Sequence, residues 1–364
     1  MNKIIEEDAR YVIQSLGPSV SKLQDKTVLI TGVSGFIGAH LLASLALLND
    51  TYKTSPCKIF GVSRNPQRLK QLAPYLLDRN DITILSADVR TFTFSERSFD
   101  FVIHAAAPVD PRVLSKDQIQ AVDIIANGTK QILQESVRCK VGRFLYISSG
   151  AVYGVQPQDL PKLPEDYTGS PDITNSLFAY GEAKRYAEML CGIFHRTYSI
   201  PFVVARPFTF VGPFQDLNAG FAVTQFIRRV LKGEPIQIEG DGTALRSYCY
   251  AADLTLALWK ILLEGEQGRV YNIGSEETIS ILELACKVVA ISGNNVEVEV
   301  KRKSTPGQKP ARYIPDIRRL KSELKFNLKF GLDEALARTI AWARESNAYL
   351  DKISIENHIS RRKK

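Results

Sequence analysis

Two side chains, Tyr180 and Lys184, are spaced four residues apart in the run FAYGEAKRYAEML and could transfer a proton. Positions i and i+4 share one face of a helix, so the ammonium group of Lys184 would lie near the phenol of Tyr180. A free tyrosine titrates near pH ~10, which is too high for a base at neutrality. A positive charge ~4 Å away favours the phenolate by about 4 kcal/mol at an effective dielectric constant of ~20. We therefore expect Lys184 to lower the pKa of Tyr180 towards neutrality.

The Tyr-x-x-x-Lys spacing is common on ordinary helices, so it is weak evidence by itself. A glycine-rich turn upstream strengthens the prediction of a proton-transfer site. In KTVLITGVSGFIG, an apolar strand (27–30) leads into Gly32, Gly35 and Gly38, and an apolar helix follows. A strand, a glycine turn and a helix in this order are typical of a dinucleotide-binding fingerprint. Gly32 permits a tight turn, Gly35 lets the backbone approach a pyrophosphate, and Gly38 lets the helix pack closely. The spacing is GxxGxxG rather than GxGxxG, so a glycine turn without a ligand remains the alternative.

The end of the second predicted strand, KIFGVS at 58–63, bears on which dinucleotide would bind. An acidic residue there would hold the ribose hydroxyls of NAD, but the chain has Ser63 followed by Arg64. A small hydroxyl and an arginine suit the 2′-phosphate of NADP. We predict NADP or NAD as the cofactor, with a preference for NADP, although Arg64 could also be a solvated loop residue. Downstream, Asp88 is placed where a carboxylate could receive the adenine amino group.

Many ordered motifs make the chain resemble the extended short-chain dehydrogenase/reductase superfamily, in its nucleotide-sugar epimerase/dehydratase branch. Between about residues 26 and 345 these are TGVSGFIG, Asp88-Val89, HAAA at 104–107, an Asn127-Gly128-Thr129 turn, SSGAVYG at 148–154, Tyr180-x-x-x-Lys184, RPFTFVGP at 206–213, GDGTALRSYCYAADL at 240–254 and VYNIGS at 270–275. The resemblance implies an α/β fold: a doubly wound parallel Rossmann sheet with a smaller C-terminal α/β substrate-binding lobe, commonly in a homodimer. It also implies hydride exchange between a nicotinamide and a sugar carbon, often C4.

The resemblance assigns roles to the matching side chains. Ser149 would hydrogen-bond the reacting sugar oxygen, Tyr180 would take or return the hydroxyl proton, and Lys184 would lower the pKa of Tyr180 and hold the nicotinamide ribose. The predicted cofactor-binding residues are Gly32, Ser34, Gly35, Phe36, Ile37, Gly38, Ser63, Arg64, Asp88, Val89, Ala105, Ala106, Ala107, Asn127, Ser148, Tyr180, Lys184, Pro207 and Phe208. The predicted substrate-binding residues are Ser149, Gly150, Tyr153, Thr209, Arg246 and Arg312. The two arginines suit a nucleotide diphosphate because each can donate two parallel hydrogen bonds.

One departure from the family pattern narrows the expected reaction. Dehydratases of this branch place an Asp-Glu pair after the catalytic residue, whereas this chain has Gly150-Ala151. The UDP-glucuronate decarboxylases, which the C-terminal half resembles, carry a glutamate where Ala151 stands. We therefore expect a 4-ketoreductase or a 4-epimerase. A dehydratase or decarboxylase with a relocated acid is the alternative, and a non-catalytic dinucleotide-binding regulator is an alternative of another class.

Composition sets outer limits on the protein's class. The 364 residues carry a net charge of +8 and five scattered cysteines without metal-ligand spacing, which indicates a cytoplasmic protein with reduced thiols and no metal site. No apolar run approaches the ~20 residues that span a bilayer, and no nucleic-acid motif appears. We expect a nucleotide-diphosphate sugar as the partner, with neither nucleic acid nor membrane. The predicted divisions are a helical extension (1–25), a Rossmann domain (26–206, joined by about 247–275), a sugar-nucleotide lobe (207–246 and 276–345) and a basic tail (346–364).

Overall fold

The computed structural model describes residues 1–95, 97–305 and 307–361, with side chains for all of these except 113 and 347–361. Its strands are β1 (Thr27–Thr31), β2 (Lys58–Ser63), β3 (Ile82–Ser86), β4 (Phe101–His104), β5 (Arg143–Ile147), β6 (Phe202–Pro207), β7 (Phe210–Val211), β8 (Ile236–Ile238), β9 (Leu245–Arg246), β10 (Cys249–Tyr250), β11 (Val270–Ile273), β12 (Ile279–Ser280), β13 (Val298–Val300) and β14 (Arg312–Tyr313). Its α-helices are α1 (Lys3–Leu16), α2 (Phe36–Thr51), α3 (Pro66–Leu72), α4 (Pro111–Lys116), α5 (Gln118–Arg138), α6 (Ala179–Tyr198), α7 (Ala222–Lys232), α8 (Ala251–Glu264), α9 (Ile281–Ser292), α10 (Arg318–Leu324) and α11 (Leu332–Arg361).

Seven parallel strands form the central sheet in the order β11-β6-β5-β4-β1-β2-β3. The strands are short apolar runs such as TVLIT and RFLYI, whose side chains are mostly buried because helices cover both faces. The chain moves outward from β1 in one direction through β2 and β3, then crosses back to β4 on the other side of β1. This order confirms the predicted doubly wound sheet, and it opens a crevice at the carboxyl ends of β1 and β4.

The glycines of the first turn allow the backbone to come unusually close to its neighbours. Gly32 has a φ of 73°, and a Cβ atom there would lie 2.8 Å from the backbone of Ala106. A Cβ atom at Gly38 would lie 2.5 Å from the carbonyl oxygen of Gly32. A side chain at Gly38 would therefore push α2 away from the turn, and one at Gly32 would push the turn away from the segment that follows β4.

The predicted N-terminal extension forms a helix that packs on the body of the protein, against α2 and α8. Asn2 caps α1 by accepting a hydrogen bond from the backbone amide of Ile4 at 2.9 Å, and Val12 and Leu16 of this helix are buried.

The expected turn at Asn127-Gly128-Thr129 is wrong, because these three residues lie inside α5. Gly128 there permits close packing, because a Cβ atom would lie 2.7 Å from the side chain of Val89.

The smaller lobe is built from α7, α9 and three short sheets, which pair β8 with β13, β7 with β10, and β9 with both β12 and β14. β11 returns to the central sheet beside β6, so the segment that carries VYNIGS belongs to the Rossmann layer. Of the predicted basic tail, residues 362–364 lie outside the described residues. No helix within the described ranges is long and apolar enough to cross a membrane.

Candidate active site

The carboxyl end of β5 and the amino end of α6 bring together three hydroxyl groups. Ser149 follows β5 and caps a 3₁₀ turn over Gly150–Tyr153, with its Oγ accepting from the backbone amide of Ala151 at 3.1 Å. The hydroxyl of Ser149 also lies near the phenols of Tyr180 and Tyr313, where it opposes the rise in the pKa of each phenol. The structure therefore brings the predicted pair Ser149 and Tyr180 together and adds a second phenol, which comes from the smaller lobe.

Lys184 lies one helical turn after Tyr180 on α6, as the spacing predicts, and its side chain is buried. Its Nζ donates to the carbonyl oxygen of Ile147 at 2.7 Å. The same atom lies 6.0 Å from the ring centroid of Tyr180 and 5.0 Å from that of Tyr146. The amino group of Lys184 is therefore anchored to the end of β5, between two aromatic rings, and lines the cavity that also holds the hydroxyls of Ser149 and Tyr180.

The electrostatics of this pair differ from the expectation. Burial raises the pKa of Tyr180 to about 12, and the hydrogen bond with Ser149 opposes this only in part. Burial also lowers the pKa of Lys184 to about 7, against the attraction of Glu188. The predicted lowering of the Tyr180 pKa is wrong for this structure, because desolvation of the phenolate raises the pKa and the group that opposes this is Ser149 rather than Lys184. Tyr180 therefore carries its proton at neutral pH.

Tyr313 is a site residue that the sequence reasoning missed, and it is the immediate neighbour of the predicted Arg312. Both residues lie on β14, where successive side chains point to opposite faces. Tyr313 faces the crevice, and its ring lies 4.6 Å from that of Phe208. A Cβ atom at Gly150 would lie 2.5 Å from its hydroxyl oxygen, so the glycine makes room for it. Arg312 does not line the crevice, and its Nε is buried without a hydrogen-bond partner among the described residues.

A cavity of about 500 Å³ surrounds the three hydroxyls. It is lined by predicted residues from both halves of the chain, namely Ile37, Ala105, Ala107, Ser148, Ser149, Tyr180, Lys184, Pro207, Phe208, Thr209 and Arg246. Residues that the sequence analysis did not single out complete the wall, chiefly Phe210, Phe221, Tyr248 and Tyr313. Among the described residues that line the cavity, the charged side chains are those of Lys184 and Arg246, and none is a carboxylate.

A second cleft, of about 450 Å³, lies at the carboxyl ends of β1 and β2. The predicted residues that line it are Gly32, Ser34, Gly35, Ser63, Arg64, Val89, Ala105, Ala106 and Ala107. Ser34 and Ser63 are hydrogen-bonded through their hydroxyls at 2.6 Å. Asn65 and Arg68 also line the cleft and were missed. The glycine turn, the free amides of α2 and the paired hydroxyls fit the adenosine and diphosphate portions of a dinucleotide.

Asp88 and Asn127 do not line that cleft but meet in a polar cluster beside it. Arg90 binds the carboxylate of Asp88 at 2.7 Å and that of Asp123 at 2.6 Å. Asn127 in turn donates to Asp123 at 2.5 Å. The pKa of Asp88 is lowered, first by Arg90 and to a smaller degree by Arg64. Asp88 is therefore an ionised group held by Arg90 close to Arg64.

Tyr153 and Ser148 belong to a buried network beneath the reaction centre. The Ser148 hydroxyl donates to Glu188, which forms an ion pair with Arg206 at 2.5 Å. Arg206 donates to the hydroxyl of Tyr153 at 2.7 Å, and that hydroxyl donates to Asn272 at 2.8 Å. The network fixes the ends of β5, β6 and β11 against α6, and in this way it sets the position of Ser149. Tyr153 supports the site from below and does not line the cavity.

The remaining predicted residues, Phe36 and Gly38, lie at the start of α2. Phe36 stacks on Phe210 of β7 with ring centroids 4.6 Å apart, and this contact joins the cofactor turn to the wall of the cavity. Gly38 packs beneath the turn.

A model of the NAD dependent epimerase/dehydratase family matches residues 28–274. The chain belongs to this family. This match covers the cofactor turn, the three predicted catalytic residues and the first part of the smaller lobe.

One relative of this chain is UDP-glucuronic acid decarboxylase 6 of Arabidopsis thaliana. The two sequences are 30% identical over 320 residues, which are 85% of this chain and 86% of the relative. UDP-glucuronic acid decarboxylase 1 of Xenopus tropicalis is 28% identical over 342 residues, 92% of this chain and 77% of the relative. Among solved structures, UDP-glucuronic acid 4-epimerase of Bacillus cereus in complex with UDP-glucuronic acid and NAD is 26% identical, with a TM-score of 0.74 over 88% of this chain and 99% of the epimerase. These similarities support an enzyme of the epimerase/decarboxylase type. The proteins that the chain resembles are named for more than one reaction, decarboxylation and 4-epimerisation.

Proposed function

We propose that this protein is an NAD(P)-dependent oxidoreductase that transfers hydride at C4 of a nucleotide-activated sugar, as a 4-ketoreductase or a 4-epimerase. The observation that carries the proposal is the convergence of Ser149, Tyr180 and Lys184 in a cavity whose described lining has no carboxylate. The nicotinamide, when bound, supplies or accepts the hydride. Tyr180 gives its phenolic proton to the C4 oxygen or takes it back, and Ser149 orients that oxygen by a hydrogen bond.

The absence of a carboxylate from the described lining argues against the reactions that need a second acid or base. Elimination of water across C5 and C6 requires a group that removes the C5 proton and one that protonates the leaving hydroxyl. Ala151 lines the cavity next to Ser149, where the decarboxylases of the family carry a glutamate, and it can do neither. Decarboxylation of a 4-keto glucuronate breaks the C5–C6 bond and leaves C5 to be protonated, and the described lining has no carboxylic acid for that step either. We therefore infer that the sugar loses neither water nor carbon dioxide on the enzyme, although the relatives named above include decarboxylases.

The protonation state of Tyr180 favours reduction over oxidation in the first step. A carbonyl oxygen that receives hydride at its carbon needs a proton, and a phenol with a pKa of about 12 holds that proton throughout the neutral range. Oxidation of a C4 alcohol would instead require the phenolate. We therefore favour a 4-ketoreductase, with the 4-epimerase as the second candidate because structural neighbours with a sequence identity of 26% are 4-epimerases.

The cleft that would hold the adenosine ribose supports NADP as the preferred cofactor. Arg64 and Arg68 line it together with Ser63, and no carboxylate does so among the described residues. NAD-selective sites usually place a carboxylate on the ribose hydroxyls, and such a group would repel a 2′-phosphate. Two guanidinium groups would instead attract the phosphate and donate hydrogen bonds to it.

The proposed homodimer is supported by apolar side chains on the outer faces of α5 and α6, which pack side by side. Ile119 is 85% exposed, Met189 56% and Tyr186 43%. Large apolar side chains clustered on one surface are typical of a protein–protein interface. A second copy of this chain is the partner that the family resemblance implies.

The proposal is tested by offering the purified protein NADPH or NADH with UDP-glucose, UDP-glucuronic acid and the 4-keto derivative of UDP-glucose. Nicotinamide absorbance follows hydride transfer, and the mass of the product separates the reactions. We expect NADPH to be consumed and a keto sugar to gain two hydrogens, or a sugar to change its C4 configuration at constant mass. Loss of water or of carbon dioxide from any substrate would refute the proposal, and a Tyr180→Phe variant serves as the matched inactive control.

A further inference from the structure

The N-terminal helix α1 lies before the region that the family model matches, which begins at residue 28, yet its polar side chains reach the wall of the sugar cavity. Tyr250 of β10 donates its phenolic hydrogen to the carboxylate of Asp8 at 2.6 Å. Tyr11 donates in the same way to Asp253, in the first turn of α8, at 2.8 Å. Two tyrosine–carboxylate hydrogen bonds therefore run in opposite directions between α1 and the segment that follows Arg246.

These hydrogen bonds are wholly or partly buried, unlike polar contacts on a solvent-exposed surface. Asp8 is 2% exposed, and Tyr250 and Asp253 are fully buried. Arg338 of α11 donates to the second oxygen of Asp8 at 2.8 Å, and Asp253 also accepts the backbone amides of residues 329 and 330. Every carboxylate oxygen in the pair has a defined partner, so the arrangement specifies one position for β10 rather than a range of similar packings.

The position of β10 decides the position of the cavity wall. β10 pairs with β7, and the amide of Cys249 donates to the carbonyl oxygen of Thr209 at 3.0 Å. Thr209 and Phe210, on one side of this pair, and Tyr248, on the other, all line the cavity. A shift of β10 towards or away from α1 would therefore move side chains on both sides of the substrate site.

We propose that α1 is a positioning element of the nucleotide-sugar pocket, in which Asp8 and Tyr11 hold β10 and the start of α8 so that the β7–β10 wall keeps its place. The identity of the ligand in this pocket rests on the function proposed above, but the mechanical link between α1 and the wall does not. Tyr250 and Asp8 act through the wall, so they are positioning residues and not catalytic ones.

The link is tested in the full chain by hydrogen–deuterium exchange of the Tyr250→Phe variant, which keeps the ring and loses the hydroxyl that donates to Asp8 of α1 and accepts from Arg338 of α11. A matched control is Val12→Ala, which removes buried apolar packing from α1 and leaves the hydrogen bonds of Asp8 and Tyr11 in place. We expect the Cys249 amide to exchange about tenfold faster in Tyr250→Phe, which corresponds to ~1.4 kcal/mol of local opening. The amides of 32–38, in the cofactor turn, should keep their rates. An unchanged Cys249 rate, or equal acceleration in Val12→Ala, would overturn the inference.

Binding of uridine diphosphate by calorimetry gives the functional readout. We expect its dissociation constant to rise about fivefold in Tyr250→Phe and to stay unchanged in Val12→Ala, with NADPH affinity equal in all three proteins. Equal affinity for uridine diphosphate in wild type and Tyr250→Phe would refute the positioning role. If uridine diphosphate binds none of the three, the pocket does not take a uridine nucleotide, and the exchange pattern at Cys249 alone decides the inference.

Discussion

Replacement of Arg64 by alanine tests the cofactor assignment without requiring a known sugar substrate. The side chain is exposed at the end of β2, where it lines the adenosine cleft. Because the group is in water, we use a dielectric constant of ~80, which gives about 1 kcal/mol for two unit charges ~4 Å apart. A 2′-phosphate carries nearly two negative charges, so its contact with Arg64 is worth about 2 kcal/mol, or about 30-fold in affinity.

The assay is a fluorescence titration of NADPH and NADH with wild type, Arg64→Ala, Arg68→Ala and the double variant. We expect Arg64→Ala to bind NADPH about 30-fold more weakly and NADH as well as wild type does, because NADH has no phosphate at that position. Arg10→Ala, which removes an exposed arginine on α1 that is paired with Glu6, is the control for a simple change in net charge. Raising the salt concentration should shrink the difference, since exposed charges are screened.

If the ratio of NADPH to NADH affinity is the same in the wild type and in both single and double variants, neither arginine contacts a 2′-phosphate. The carboxylate of Asp88, which lies close enough to Arg64 to feel its charge, would then be the group to examine for a role with the ribose of NAD.

Three further predictions concern the reaction centre and the stability of the fold. Tyr180→Phe should reduce turnover by about 10²–10⁴-fold while NADPH binding persists, as steady-state kinetics and titration would show. Tyr313→Phe keeps the ring but removes the hydroxyl that lies near Ser149, so turnover should fall only about tenfold, and a loss as large as that of Tyr180→Phe would contradict this order. Burial raises the pKa of Asp8 from 3.8 to about 6 despite Arg338, so its contribution to folding stability is greatest below pH 3.8 and falls as the pH rises through about 6. Chemical denaturation should show wild type losing up to about 3 kcal/mol relative to Asp8→Asn between those pH values, and parallel pH profiles would refute the assignment.

The fold was largely predictable because its signals are local. The strand, glycine turn and helix at 27–51 and the apolar runs of the later strands specify a parallel α/β sheet, and the order of motifs along the chain identifies the family. The spacing of Tyr180 and Lys184 likewise placed both on one face of α6. Each of these inferences depends on residues that are close in sequence, where helix and strand periodicities apply directly.

What the sequence could not give depends on contacts between distant segments. Tyr313 reaches Ser149 across 164 positions of chain, and its neighbour Arg312 was the more attractive choice on charge alone. The pKa of Tyr180 depends on how deeply α6 buries its phenol, a quantity that no spacing reports. Asn127 belongs to the motif of the family but lies in α5 and bonds Asp123 rather than facing the cleft. Burial and partner choice are tertiary properties, and these are the points at which local reasoning failed.

Gly150, Ala151 and Tyr313 are coupled in space beside Ser149. Gly150 leaves room for the Tyr313 hydroxyl, which lies 2.5 Å from where its Cβ would be, and Ala151 presents only a methyl group to the cavity. A larger side chain at 150 would displace Tyr313 from Ser149, so the glycine and the tyrosine depend on each other. A glutamate placed at 151 alone would add an acid but leave the second phenol in position beside the reacting oxygen. We infer that the two phenols and the serine form one unit adapted to proton transfer at a single sugar oxygen, which is the requirement of hydride transfer without elimination.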